Sequence, residues 1–227
     1  MKNQTIYSFA MAAFVASALF LSSCEEDPIV PAPDQGRILV VHASPNAPAV
    51  DLLVDNTKVG TALAYPNNTP YLDVVVGKRN IKVNVTGTST SAINVDFDVA
   101  KNVNYTIFAA DSVSKITPVV FTDDLTTPAV GKAHVRVIHM APNAPKVDVW
   151  IDNAKVLSGV RFKEASTFTP LSSGTHTFEV KLENTNTVVI SVPNYNLAEK
   201  KIYTIFARGF VGGTGTQALG AGVIVNN

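Results

Sequence analysis

A base, a hydroxyl and a carboxylate stand close together in one short stretch: His42, Ser44 and Asp51. In mutual contact they would form a hydrolase triad, the imidazole taking the hydroxyl proton while the acid orients the ring. The imidazole and carboxylate alone, joined across two strands, would suit a divalent cation, calcium first in an extracytoplasmic setting. A second phrase tests both ideas. "HASPNAPAVDLLVDN" from His42 is matched by "HMAPNAPKVDVWIDN" from His139. His139, Asn143 and Asp148 repeat His42, Asn46 and Asp51, but Ala141 stands in place of Ser44. A phrase that recurs without its nucleophile does not depend on it, and no G-x-S-x-G elbow occurs. No catalytic residue is therefore assigned. Asp51 and Asp55 are four residues apart, about 13 Å along one strand, too far to share an ion. Asp96 with Asp98, and Asp123 with Asp124, lack the spacing of a calcium loop. Neither a metal site nor a cofactor is assigned.

The elements that hold these residues suggest a plainer role. "SPNAP" and "APNAP" place two prolines around an Asn-Ala pair. Proline fixes φ, and asparagine accepts left-handed geometry while bonding local backbone. The phrase then reads as a stiff connection between strands. His42 and His139 would bond a loop carbonyl, and Asp51 and Asp148 would accept loop N–H groups. With Asn46 and Asn143 these are read as loop-bracing residues. Beyond the loop, Val147, Val149 and Ile151 alternate with Asp148, Trp150 and Asp152. Successive strand residues face opposite ways, so Trp150 sits beside two aspartates away from the Val/Ile core. Trp150, Asp148 and Asp152 form the candidate ligand face, either packed under a loop or neighbouring domain, or offered to a sugar or protein. Leu53 takes the equivalent place in the first copy, while Tyr65 and Phe162 correspond as core or loop anchors.

The offset of 97 residues from His42 to His139 also joins Pro45 to Pro142, Asp55 to Asp152 and Gly77 to Gly174. Later, "YTIFA" at Tyr105 recurs at Tyr203, one residue further on. A register kept this long marks two copies of one domain. In the first copy, short runs rich in Val, Ile, Thr, Tyr and Phe predict strands at 37–43, 50–55, 71–76, 80–86, 92–98, 103–110 and 116–122. Seven strands in under a hundred residues predict an antiparallel sandwich. The expected layout is a first module over 37–122, a linker over 123–133 and a second module over 134–227. Gly213-Thr214-Gly215 is no dinucleotide loop, because a strand and not a helix follows. It is read as part of a long, mobile hairpin loop.

Residues 1–23 carry Lys2, an apolar run and then "LSS" before Cys24, the order of a secretory signal peptide. The apolar run is shorter than the ~20 residues a helix needs to span a bilayer. "LSSC" resembles a bacterial lipobox, whose cysteine becomes the acylated N-terminus. Cys24 is the lone cysteine, so no intrachain disulfide forms. Glu25, Glu26 and Asp27 resemble the export signal of surface lipoproteins in the Bacteroidota. Residues 24–36, with Pro28, Pro31 and Pro33, are expected to form an extended tether. The expected location is the outer membrane, lipid-anchored, with the cell surface preferred over the periplasmic face. Without residues 1–23 the chain has 17 basic against 18 acidic residues and no basic cluster, which excludes a nucleic-acid partner.

The phrases "VHASPNAPAVDLLVD" and "IHMAPNAPKVDVWID", with "YTIFA" and "FTDD", are similar to the Domain of Unknown Function 4397 family. The resemblance spans about residues 37–225. It implies bacterial cell-envelope proteins built of immunoglobulin-like β-rich units, and it carries over no site residue. The sequence thus predicts an all-β chain of two tandem immunoglobulin-like antiparallel β-sandwich domains after a signal peptide and Pro-rich tether. Its expected work is non-enzymatic: adhesion, ligand binding or envelope assembly, with the membrane and an envelope protein or glycan as partners. The alternative is a glycan- or metal-binding accessory lipoprotein of a nutrient-uptake system.

Overall fold

Each copy forms eight strands, one more than the apolar runs predict. The computed structural model describes residues 32–227. The expected signal peptide, Cys24 and most of the tether lie outside the described residues. The first repeat comprises β1 (Gln35–Ala43), β2 (Val50–Val54), β3 (Thr57–Leu63), β4 (Leu72–Val75), β5 (Gly77–Val85), β6 (Ser91–Val99), β7 (Asn104–Ala110) and β8 (Thr117–Asp123). The second comprises β9 (Lys132–His139), β10 (Val147–Ile151), β11 (Ala154–Val160), β12 (Thr169–Ser172), β13 (Gly174–Leu182), β14 (Val188–Leu197), β15 (Ile202–Arg208) and β16 (Gly220–Val225). The linker is shorter than the expected 123–133, because Asp123 closes β8 and Lys132 opens β9.

The added strands are β3 and β11. Asp55 and Asn56 have φ of 49° and 65°, and Asp152 and Asn153 have 49° and 66°. Two successive left-handed residues make the tight turn that a twisted hairpin needs. The chain therefore folds straight back at Asp55 and Asp152 to pair β2 with β3 and β10 with β11.

Each repeat stacks two four-stranded sheets, ordered β4-β1-β7-β8 and β3-β2-β5-β6 in the first, β12-β9-β15-β16 and β11-β10-β13-β14 in the second. Pairing is antiparallel except where β1 runs parallel to β7 and β9 parallel to β15. The antiparallel prediction is thus amended by one parallel pair in each repeat. Alternate residues of β1 and β7, among them Val40 and Ile107, meet Leu52, Ile81 and Val83 in the first core. Val137 and Ile205 do the same with Val149 and Phe178 in the second.

The remaining face of each central pair is apolar too. Leu39, Val41 and Phe108 pack against Ile138, Met140 and Phe206, with the Phe108 and Phe206 rings edge-on at 5.4 Å. Four layers of sheet result, and the two middle ones are covered on both faces. This explains why "ILVV" and "YTIFAA" read as continuous apolar runs instead of alternating ones.

One ion pair is buried between the repeats. Arg136 Nη1 lies 2.8 Å from Asp123 Oδ1, with both side chains almost fully covered. Asp123 Oδ2 accepts hydrogen bonds from Tyr71 and Thr106 hydroxyls, each at 2.6 Å. Arg136 Nη2 donates to Thr204 at 3.0 Å, and its guanidinium lies 4.4 Å from the Phe168 ring centre. Burial lowers the Arg136 pKa, an effect that Asp123 partly offsets. Burial and the neighbouring carboxylate both raise that of Tyr71.

Candidate functional site

The repeated phrase closes the same end of both sandwiches. His42, next to last in β1, is fully buried, and its Nε2 donates to the Pro48 carbonyl at 2.9 Å. His139 does the same to the Pro145 carbonyl at 3.2 Å. A carbonyl can only accept, so Nε2 carries the proton and Nδ1 is bare. In the second repeat the bare nitrogen accepts the Ala141 N–H at 3.3 Å. Tyr65 and Phe162 meet the two imidazoles edge-on. Burial lowers both histidine pKa values, and the proline carbonyls counteract only part of the shift.

Asn46 and Asn143 join this loop to the one after the central parallel strand. Asn46 Oδ1 accepts the Val113 N–H at 2.9 Å. Asn143 Oδ1 accepts the Val211 N–H at 2.8 Å, and its Nδ2 donates to the Val211 carbonyl at 3.1 Å. The glycine-rich loop that follows carries backbone bonds of its own, from Phe210 N–H to the Gln217 carbonyl and from Gly213 N–H to the Phe210 carbonyl.

Asp51 and Asp148 are buried on β2 and β10, and they brace the hairpin to β3 and β11. Asp51 accepts from Lys58 Nζ at 2.6 Å, the Ala62 N–H at 2.9 Å and Thr86 Oγ1 at 3.2 Å. Asp148 accepts from Lys155 Nζ at 2.7 Å, the Gly159 N–H at 3.0 Å, Ser158 Oγ at 3.1 Å and the Asn184 N–H at 3.2 Å. Lysine and backbone donors hold the Asp51 carboxyl down to about 2, and the matching set holds Asp148 lower still. Ala62 and Gly159, whose N–H groups they bind, are on β3 and β11, strands the apolar pattern does not announce. The lysines were legible, since Lys58 and Lys155 each follow their aspartate by seven residues.

These contacts decide what the cluster can do. His42 bonds a carbonyl while Asp51 bonds a lysine, so the two do not form a relay. Ser44 is fully buried and its hydroxyl has no partner within the fold. Among the described residues, no group of three His, Cys, Asp or Glu side chains comes together as a metal site.

On the candidate ligand face, Trp150 is half-buried between two lysines. Lys181 Nζ lies 4.2 Å and Lys155 Nζ 5.6 Å from the ring centre. A sugar ring approaching the indole meets these side chains first. Asp148 is turned away into its bracing contacts. Asp152, at the hairpin turn, accepts the Thr177 N–H at 2.9 Å and pairs with His176 Nδ1 at 2.6 Å. Burial lowers the His176 pKa, but Asp152 and the Ser172 carbonyl outweigh it and leave the value raised.

A family model described as a domain of unknown function, DUF4397, matches residues 36–150 and again 133–227. No curated protein matches the chain. A solved structure titled for alpha-glucan binding by a streptococcal virulence factor is 15% identical, with a TM-score of 0.24, over 76% of this chain and 92% of that one. A leucine-rich repeat protein from Bacteroides thetaiotaomicron is 10% identical, with a TM-score of 0.18, over 78% of this chain and 26% of that one.

Proposed function

We propose, for a chain that belongs to the DUF4397 family in two copies, a non-catalytic role as a lipid-anchored cell-envelope protein whose β-sandwich modules bind a partner or ligand. The observation that carries the reading is the fate of the repeated polar residues. In both copies histidine bonds a proline carbonyl, and aspartate bonds a lysine and a hairpin N–H. Groups so engaged are also buried, which keeps the bare imidazole nitrogen and the carboxylates away from a substrate. The rigid sandwiches leave loops at their ends for recognition. The "LSSC" sequence at Cys24 and the acidic residues after it support a lipid anchor at the outer membrane, displayed outward.

Mass spectrometry of the mature N-terminus tests the anchor. The expected product begins at an acylated Cys24, and Cys24→Ser leaves the protein unacylated. Protease added to intact cells should digest the modules; full protection until lysis would contradict surface display. Panels of ester, peptide and glycoside substrates should show no turnover. Turnover lost on His42→Ala, in a variant that still folds, would overturn the non-catalytic reading.

A further inference from the structure

The two sandwiches differ inside. Between β6 and β8 at the edge of the first repeat lies an apolar cavity of about 180 Å³. The corresponding space in the second repeat is about 20 Å³. Their walls correspond by register: Val40 with Val137, Val83 with Val180 and Ile93 with Ile190. The lining position that grows is Ile81, whose counterpart is Phe178. Each pairs with the last residue of its neighbouring strand, Val54 or Ile151. The edge strands also close differently. β14 packs along β16 in the second repeat, where Ala221 takes the place that Pro118 holds opposite an alanine of the central strand in the first.

The inner wall is apolar and buried. Ile81, Val83, Ile93 and Ile107 are each at most 5% exposed. Water needs two to four polar partners to occupy a cavity, and an apolar void of about 150 Å³ in another protein stays empty of water yet takes benzene or xenon. Here the polar residue in the lining is Asp96, which alternates with the core-facing Val95 and Phe97 and so borders the cavity with its backbone. Its carboxylate points to the outer face of the sheet, where Asn80 Nδ2 donates to it at 3.0 Å, so the interior offers an anion no charged or polar partner. The second repeat indicates the fitting occupant: a benzyl group, which its own chain supplies as Phe178.

We propose that the first repeat carries a binding site for a neutral, apolar molecule or group of about benzyl size, entered between β6 and β8. The site does not depend on where the chain is anchored, so its failure would leave the envelope reading standing. All four sheets and both cores lie within the compact unit Pro33–Asn227, which serves as the sample. Toluene is titrated into this unit and isoleucine and valine methyl groups are followed by NMR. Saturable shifts are expected at Ile81, Ile93 and Ile107, with none at Ile190 and Ile205. Benzoate, whose carboxylate would lose water without gaining a polar partner, should bind at least tenfold more weakly. Ile81→Phe should abolish the shifts without lowering the melting temperature. Phe178→Ile should create a second set at Ile190 and Ile205. Absence of shifts in the unsubstituted protein, persistence of binding in Ile81→Phe, or equal shifts in both repeats would overturn the proposal.

Discussion

Ala62 and Gly159 occupy the same place in the two repeats, and both donate their N–H to the bracing aspartate. Both are left-handed, at φ of 51° and 65°. Glycine adopts this region freely, whereas alanine is strained there. Gly159→Ala is expected to destabilise by about 1–2 kcal/mol, and Ala62→Gly to stabilise by up to about 1 kcal/mol once the looser unfolded chain is counted. Urea midpoints of the two variants check this. The histidines set a pH dependence of definite sign. His42 and His139 have depressed pKa values in the fold, so the unfolded chain binds more protons. Their contribution is complete above about pH 6.5 and is lost as pH falls toward the folded values. His176, raised by Asp152, acts in the opposite sense, its stabilisation being lost as pH rises through its folded value. Melting temperature should therefore fall on acidification from neutrality, and His176→Ala should steepen the fall.

At the scale of elements, what the sequence discloses depends on burial. β1, β7, β9 and β15 announce themselves because both faces are covered. β3 is mostly exposed, its register with β2 slips twice, and Gly60 lies within it. An edge strand with no apolar face leaves no alternation to read, and β11 is hidden for the same reason. The parallel pairs were illegible because strand order depends on contacts far apart in the chain. The buried pair between repeats left a different kind of trace. Arg136 corresponds to Leu39, and Asp123 to Asn226, so the repeats differ at just these places. Arg136→Leu alone should destabilise by about 3–5 kcal/mol, since it strands a buried carboxylate. Arg136→Leu with Asp123→Asn installs the residues already found at the counterpart positions and should recover most of that loss. Chemical denaturation of the two single variants and the double variant measures the coupling; simple additivity would contradict it.

For the whole molecule, duplication explains the middle of the stack. Phe108 and Phe206, equivalent residues, meet across the junction as they would in a symmetric dimer. Arg136 and Asp123 break that symmetry, because two first repeats would bury carboxylates opposite Leu39 and two second repeats would bury guanidiniums opposite Asn226, each without its opposite charge. Cut within the linker between β8 and β9, the halves are expected to stay together as one first and one second repeat, with no like-with-like pairs on size exclusion with light scattering. The double variant should relax that preference. The repeat itself was plain in the sequence. The face joining the copies was not, because a continuous apolar strand is equally at home in any buried sheet.

A phrase written twice serves folding twice, and imidazole nitrogen NMR from about pH 8 to about pH 5 tests that directly. His42 and His139 are predicted to hold the proton on Nε2, leave Nδ1 bare and stay neutral below the pH at which a free imidazole titrates. Titration of both rings near the free value, with exchange between tautomers, would mean that neither is locked to its proline carbonyl and would contradict the bracing role.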